Sequence, residues 1–295
     1  MSTPTTPLPV GRDDRPVPAA GGPSSGPDGA RPGARAVSTV AVVLGGLLLA
    51  GTVVDGAGSV VSTALRGDDV LTATSDGVAS LEAEVVGARL EVVTGDVDQA
   101  RLDVRDSRGR WRFERDGDVL RVASPGAEGW SGGWASGWSR DDGGRAVLVL
   151  PEDVAGGALD ADLELSGGEL RASGAFGDVD AELTGGALDL AGSATALALD
   201  VTGGTADLEV DGARTAVLSL TAGQVTAALG GDAPEAVDVD VSAGTLDLAL
   251  PPEDYDVRSS VTGGGLDSTL RDSPTAPRRV EVAVTAGGVV LREAG

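Results

Sequence analysis

Two groups of residues in this chain could do chemistry. The first is three tryptophans, in the segment Gly129-Trp130-Ser131-Gly132-Gly133-Trp134-Ala135-Ser136-Gly137-Trp138. An indole in a polar, glycine-rich setting can stack on a sugar ring, sit at a membrane interface or anchor a partner protein. The alternative is structural: the segment folds back to cover apolar residues at the end of the domain. The second group is aspartate recurring at like positions, Asp189, Asp207, Asp247 and Asp267. A column of carboxylates can ligate calcium, and a close pair in unequal environments can cleave glycosidic bonds. Gly185-Gly186-Ala187-Leu188-Asp189 and Gly203-Gly204-Thr205-Ala206-Asp207 approach the calcium-binding nonapeptide repeat. The match fails, because the third glycine is missing, Asp falls one place early and the period is about twice as long. No single carboxylate is set apart from its neighbours, as a tuned acid would be.

Composition removes most other chemistry. The 295 residues include no Cys and no His, so disulfides, thiolate metal sites, a Cys nucleophile and a Ser-His-Asp triad are excluded. All 22 basic residues are arginine, and the net charge of −24 repels phosphate backbones, so nucleic acid is not an expected partner. No phosphate loop or dinucleotide fingerprint is present. The expectation is a non-enzymatic protein with no metal and no cofactor.

The elements that would position these residues come from a repeat. An aliphatic residue, Ser or Thr, Gly or Ala, and Gly recur seven times, ending at Gly168, Gly186, Gly204, Gly223, Gly244, Gly264 and Gly287, with steps of 18, 18, 19, 21, 20 and 23 residues. Before each final Gly stand pairs such as Leu163/Leu165 and Leu199/Val201; after it stand Leu188/Leu190 and Leu246/Leu248. Polar residues occupy the positions between. Alternation at period two is a half-buried strand, so each repeat reads as strand, tight corner, strand. One such unit cannot bury its apolar face alone, whereas a stack can. The fold class expected is all-β, a parallel β-solenoid of right-handed β-helix type in which successive bends superimpose. The final glycines are structural corners that need positive φ or close backbone approach. The Ser/Thr residues form a column of hydroxyls that hydrogen-bond backbone at the bend. The copy at Val261, flanked by Ser259 and Ser268, predicts a looser level, and the last gap, with Pro274 and Pro277, a bulging loop.

The amino-terminal part differs. Residues 1–35 are rich in Pro, Gly, Ser and Thr and read as a disordered cytoplasmic tail. Residues 36–54 carry no charge and would span about 28 Å as a helix, close to the thickness of a bilayer core, which makes them a transmembrane candidate. Arg31 and Arg35 precede this stretch and Asp55 follows it, placing the N-terminus in the cytoplasm and the repeats outside the cell membrane. Residues 55–75 read as a linker and 76–295 as the extracytoplasmic domain, with 76–150 as capping strands and 151–295 as regular repeats. Thr94-Gly95-Asp96 reads as a divergent early corner, and Asp116-Gly117 as a hairpin turn.

Thr94-Gly95-Asp96-Val97, the strand Val147-Leu148-Val149-Leu150-Pro151, the serial corners and the ending Val284-Thr285-Ala286-Gly287-Gly288-Val289-Val290-Leu291 resemble a bacterial family of putative adhesins, membrane-anchored β-strand-repeat proteins of unknown function. The resemblance covers about 80–295. The chain departs from the family's usual Gly-Asp-Val corner, having Gly-Gly-x-Leu or Ala-Gly-x-Leu instead. What the resemblance implies is a parallel β-solenoid, often with one membrane helix, in a non-enzymatic envelope protein. Its expected role is surface binding or adhesion toward a cell-wall glycan or an envelope protein. The alternative is a structural or signalling component of the envelope stress response.

Overall fold

The computed structural model describes residues 68–127, 143–152, 154 and 156–294, all within one compact unit. In these residues aliphatic and polar side chains alternate, and the backbone is extended wherever they do. The strands are β1 (Asp68–Ala73), β2 (Ser80–Gly95), β3 (Ala100–Arg105), β4 (Arg112–Asp116), β5 (Val119–Ala123), β6 (Arg145–Pro151), β7 (Gly156–Ser193), β8 (Ala196–Val201) and β9 (Thr205–Asp211). They continue as β10 (Thr215–Leu220), β11 (Gln224–Gly230), β12 (Ala236–Val241), β13 (Thr245–Leu250), β14 (Asp254–Val261), β15 (Gly265–Ser268), β16 (Arg271–Asp272), β17 (Arg278–Val284) and β18 (Gly288–Glu293). The result is all-β, a curled sheet of mostly parallel strands around one apolar core. In β9 every second residue is buried, Ala206, Leu208 and Val210 pointing inward and Asp207 and Glu209 outward.

Two arms joined at a corner make one level. Arms pair in register with the arms of the next level, as in Leu199 with Leu218 and Leu208 with Ala227. The corner glycines lie directly over one another. At Gly186 and Gly204 φ is +105°, a region that L side chains rarely adopt. A Cβ on Gly186 would fall 2.5 Å from the carbonyl oxygen of Gly168, and one on Gly204 2.5 Å from that of Gly186. The same close approach continues through Gly223, Gly244, Gly287 and Gly264. Between corners the backbone makes the bond: Thr202 N–H donates to Leu183 O at 2.9 Å and Thr221 N–H to Val201 O at 2.8 Å. The hydroxyl residue therefore reaches the next level through its own N–H.

The levels do not follow chain order at either end. Toward the C-terminus β12 pairs with β17, and β17 in turn with β14; likewise β13 pairs with β18 and β18 with β15. The corner of the last repeat, Gly287, thus lies between Gly244 and Gly264. Burial explains this exchange. The last repeat offers Val280, Val282, Val284, Val289 and Leu291, all buried, whereas the Val261 copy has Ser259 and Ser268 and leaves Val261 44% exposed. The better apolar level takes the interior place and the poorer one becomes the end. The long gap around Pro274 and Pro277 provides the crossover.

Toward the N-terminus β2 lies between β7 on one side and β5 and β6 on the other, all parallel. Segment 76–150 is therefore divided. β2, β5 and β6 continue the parallel stack, while β1, β3 and β4 pair antiparallel at its end. The corner of the β2 level is at Gly87 (φ +60°), between Val86 paired with Ser166 and Ala88 paired with Gly168, and not at Thr94-Gly95-Asp96, which closes the far end of β2. β4 and β5 form the hairpin around Gly117. β1 occupies part of the stretch read as linker, because Val70, Leu71 and Thr72 pair with β3 despite two aspartates beside them.

Aromatic side chains close the ends of an interior that is otherwise Val, Leu and Ala apart from Phe176 in β7. Trp111 and Phe113 are buried at the N-terminal end and Tyr255 at the C-terminal end, where its hydroxyl donates to Pro251 O at 3.0 Å. Burial pushes the Tyr255 hydroxyl up to about 12. Among the described residues no helix is long and apolar enough to cross a membrane, and stretch 36–54 lies outside them.

Candidate binding surface on the first arms

The outward positions of the first arms form columns that run across the levels. One column is Arg121, Glu82, Asp162, Asp180, Ala198, Val217, Asp238, Glu281 and Arg258, neighbours being in register from strand to strand and the step from Asp162 to Asp180 falling inside β7, where Gly186 lies over Gly168. Its neighbour is Ala123, Glu84, Glu164, Glu182, Asp200, Ser219, Asp240, Ala283 and Ser260. Glu82, Glu84, Asp162, Glu164, Asp180, Glu182 and Asp200 therefore make one continuous acidic strip about two residues wide. Parallel in-register stacking sets like charges roughly 4.8 Å apart along it. At the first level Arg121 relieves it, bonding Glu82 at 2.7 Å and Asp116 at 2.9 Å, and the charge of Arg112 opposes that of Glu84.

Two shallow hollows mark this face. One of about 220 Å³ lies among Glu82, Glu84, Asp162, Glu164, Arg112 and Arg121. The other, of about 440 Å³, runs past Asp160, Asp178 and Asp180 to Val217, which is 46% exposed. Partial burial between flanking strands raises the carboxyl of Asp162 above its ordinary value, and the charges of Asp180, Glu82 and Glu182 push it further. Glu164 is raised by burial and then by Asp162, Glu84 and Glu182. Asp180 is raised by burial and then by Asp200. Glu84 is raised by burial, against the opposing charge of Arg112. Glu84, Asp162, Glu164 and Asp180 are all raised in the same direction, so no single group stands out as an acid. Among the described residues no cluster of His, Cys, Asp or Glu could hold a metal ion.

The aspartates singled out in the sequence lie on the second arms, and their column is broken. Asp189 and Asp207 are in register, but Thr226 separates Asp207 from Asp247, and Val290 separates Asp247 from Asp267. Arginines also dilute it, with Arg171 3.5 Å from Asp189 and Arg292 2.7 Å from Asp247. The denser first-arm strip was readable as apolar-acid-apolar-acid-apolar in Leu81-Glu82-Ala83-Glu84-Val85, Ala161-Asp162-Leu163-Glu164-Leu165 and Val179-Asp180-Ala181-Glu182-Leu183.

Trp130, Trp134 and Trp138 lie outside the described residues. The place where their segment joins the fold is described. The chain leaves β5 through Ser124 and Ala127 and re-enters at Gly143, at the corner of the β5–β6 level. Ser124 is buried there and its hydroxyl accepts from Val86 N–H at 2.8 Å, while Trp111 Nε1–H donates to Gly143 O at 2.9 Å. Both ends of the segment are thus fixed at the rim, next to the hollow lined by Glu84 and Glu164.

No family model matches the chain, and no curated protein is similar to it. The chain is similar to several solved structures. One is a protein from Bacteroides fragilis described as a putative adhesin, 12% identical over 77% of this chain and 98% of its own, with a TM-score of 0.41. Another is a protein from Clostridium sporogenes described as a putative cell adhesion protein, 12% identical over 77% of this chain and 99% of its own, with a TM-score of 0.29. A third, from Parabacteroides merdae and again described as a putative adhesin, is 15% identical over 78% of this chain and 97% of its own, with a TM-score of 0.29. The descriptions of all three match the bacterial adhesin family that the repeat corners resemble.

Proposed function

We propose that this chain is a non-enzymatic cell-envelope protein that presents a right-handed β-solenoid for surface binding or adhesion. The solenoid stands outside the cell on a single membrane helix at 36–54, with the N-terminus cytoplasmic. The observation that carries this reading is the site of the tryptophan segment. The described residues that flank it, Ser124 and Gly143, stand at the corner of the β5–β6 level, and each is tied by a hydrogen bond to the fold. A segment whose two flanks are fixed on a rigid scaffold is a usual arrangement for binding. Indoles in such a segment supply large contact area for a sugar ring or a partner's apolar surface. The acidic strip beside it disfavours anionic polymers and attracts cationic groups. Carboxyls raised together in the same direction suit a charged face better than a general acid, which needs one carboxyl unlike its neighbours.

The test is binding of the extracytoplasmic domain to purified cell-wall glycan and to whole cells. Trp130→Ala, Trp134→Ala and Trp138→Ala combined should weaken binding at least tenfold while the thermal midpoint stays within a few degrees, since losing stacking anchors costs about 2 kcal/mol or more. Undiminished binding by a folded triple variant would remove the basis of this reading.

A further inference from the structure

We propose that the C-terminal pair β17–β18 is an exchangeable element, and that the level it fills is a docking slot for the same segment of a second copy of this chain. The inference stands on topology alone and does not depend on the adhesive reading.

The level order makes the slot. β12 and β13 end the run of levels laid down in chain order, and β14 and β15 are placed one level too far away to touch them. Residues 278–293 fill the space between. Among the described residues β15 has no strand partner but β18, and β14 pairs only with β17 and the two-residue β16. Withdrawing β17–β18 would uncover Val237, Val239, Val241, Leu246 and Leu248 on one side and strip the outermost level of its ladder on the other. An interior of that shape has one known complement, the sequence of residues 278–293 itself.

The charge pattern agrees. The segment brings Arg292 to 2.7 Å from Asp247 and Arg278 to 3.8 Å from Glu253. From 151 to 250 the chain has 19 acidic residues and 2 arginines, so an arginine-bearing strand is the complement that region lacks. The tether also suits exchange. Ser273-Pro274-Thr275-Ala276-Pro277 is turned back by Ala276 N–H donating to Ser273 O at 2.9 Å. Pro274 holds the second position of this turn, which its fixed φ favours, while Ser273 and Ala276, each before a proline, favour extended backbone on either side of it, so the tether is one turn between extended stretches. Opening it would let the segment reach a neighbour while every ladder bond and buried contact is remade there. Exchange of an identical element is a low-cost route to a dimer for this reason.

The test uses two full-length single variants, because the natural chain has no cysteine. Asp240 and Ala283 are exposed and in register on β12 and β17, within the spacing a disulfide spans. Asp240→Cys and Ala283→Cys proteins are mixed at high concentration, warmed to just below the thermal midpoint, cooled and oxidised. Exchange predicts a covalent heterodimer, several-fold more abundant than in a mixture of Asp200→Cys with Ala283→Cys, whose positions lie in the same column three levels apart. The double variant Asp240→Cys/Ala283→Cys, oxidised within one chain, should stay monomeric by light scattering after the same treatment and dimerise only after reduction. Equal cross-linking by the matched and mismatched mixtures, or dimerisation of the locked double variant as readily as the reduced one, would overturn the proposal.

Discussion

At Gly204 the neighbouring level takes the space a side chain would need. φ is +105° and the carbonyl oxygen of Gly186 lies where a Cβ would go. Gly204→Ala should therefore cost about 2 kcal/mol or more, combining backbone strain with displacement of a ladder. Gly185, next to the corner at Gly186, has nothing within 4 Å of a built Cβ and no positive φ. Gly185→Ala should change stability by less than about 0.5 kcal/mol. Urea midpoints of the two variants decide the matter, and equal losses would mean the corner is not where the constraint lies. The final glycines were legible because the sequence keeps Gly there in all seven copies while the position before varies between Gly and Ala. The role of Gly87 was not, since Val85-Val86-Gly87-Ala88 keeps the geometry of a corner without its Ser/Thr or its closing Gly.

At the scale of the strand, the acidic strip should give this protein an inverted pH response. Glu84, Asp162, Glu164, Asp180 and Asp238 are all raised in the folded state. Between the unfolded carboxyl range, about 4, and their folded values, the native chain binds more protons than the unfolded one. These groups therefore destabilise the fold as pH rises through that window, and their penalty is complete above it. Stability should rise on mild acidification from neutral pH, down to the range in which these carboxyls titrate in the unfolded chain. Asp162→Asn should raise the unfolding free energy at pH 7 by up to about 1 kcal/mol, read from urea titration, which is the scale of like charges opposed across strands, and should flatten the pH slope. Added salt should have the same sign of effect, because these carboxyls are only partly buried. A variant less stable than the parent at pH 7 would contradict this account. The alternation that builds the strip was visible in each strand; its continuity was not, because it depends on β2 stacking against β7, a pairing across some 80 residues.

For the whole molecule, the decisive fact is that sequence order and spatial order part company at both ends. Periodicity reveals which residues form a level, since each level is local. It says nothing of which level lies next to which, since that is settled by burial between distant segments. Val280, Val282 and Leu291 outbid Ser259 and Ser268 for the interior place, and a 23-residue step gives the chain enough slack to make the exchange. A consequence follows for cooperativity. Residues 254–272 are held to the stack almost entirely through β17 and β18, so these two stretches should open as one unit, distinct from the interior levels. Deleting residues 278–295 should remove amide-exchange protection throughout 254–268, although none of those residues is altered. Protection in β8 to β11, where each arm is paired on both sides, should persist. A stack laid down in simple chain order would behave differently: losing its last level would leave the preceding one protected. Hydrogen-exchange mass spectrometry of the truncated chain separates these outcomes, and retained protection of Tyr255 to Val261 would show that β14 can reach β12 without the segment that lies between them here.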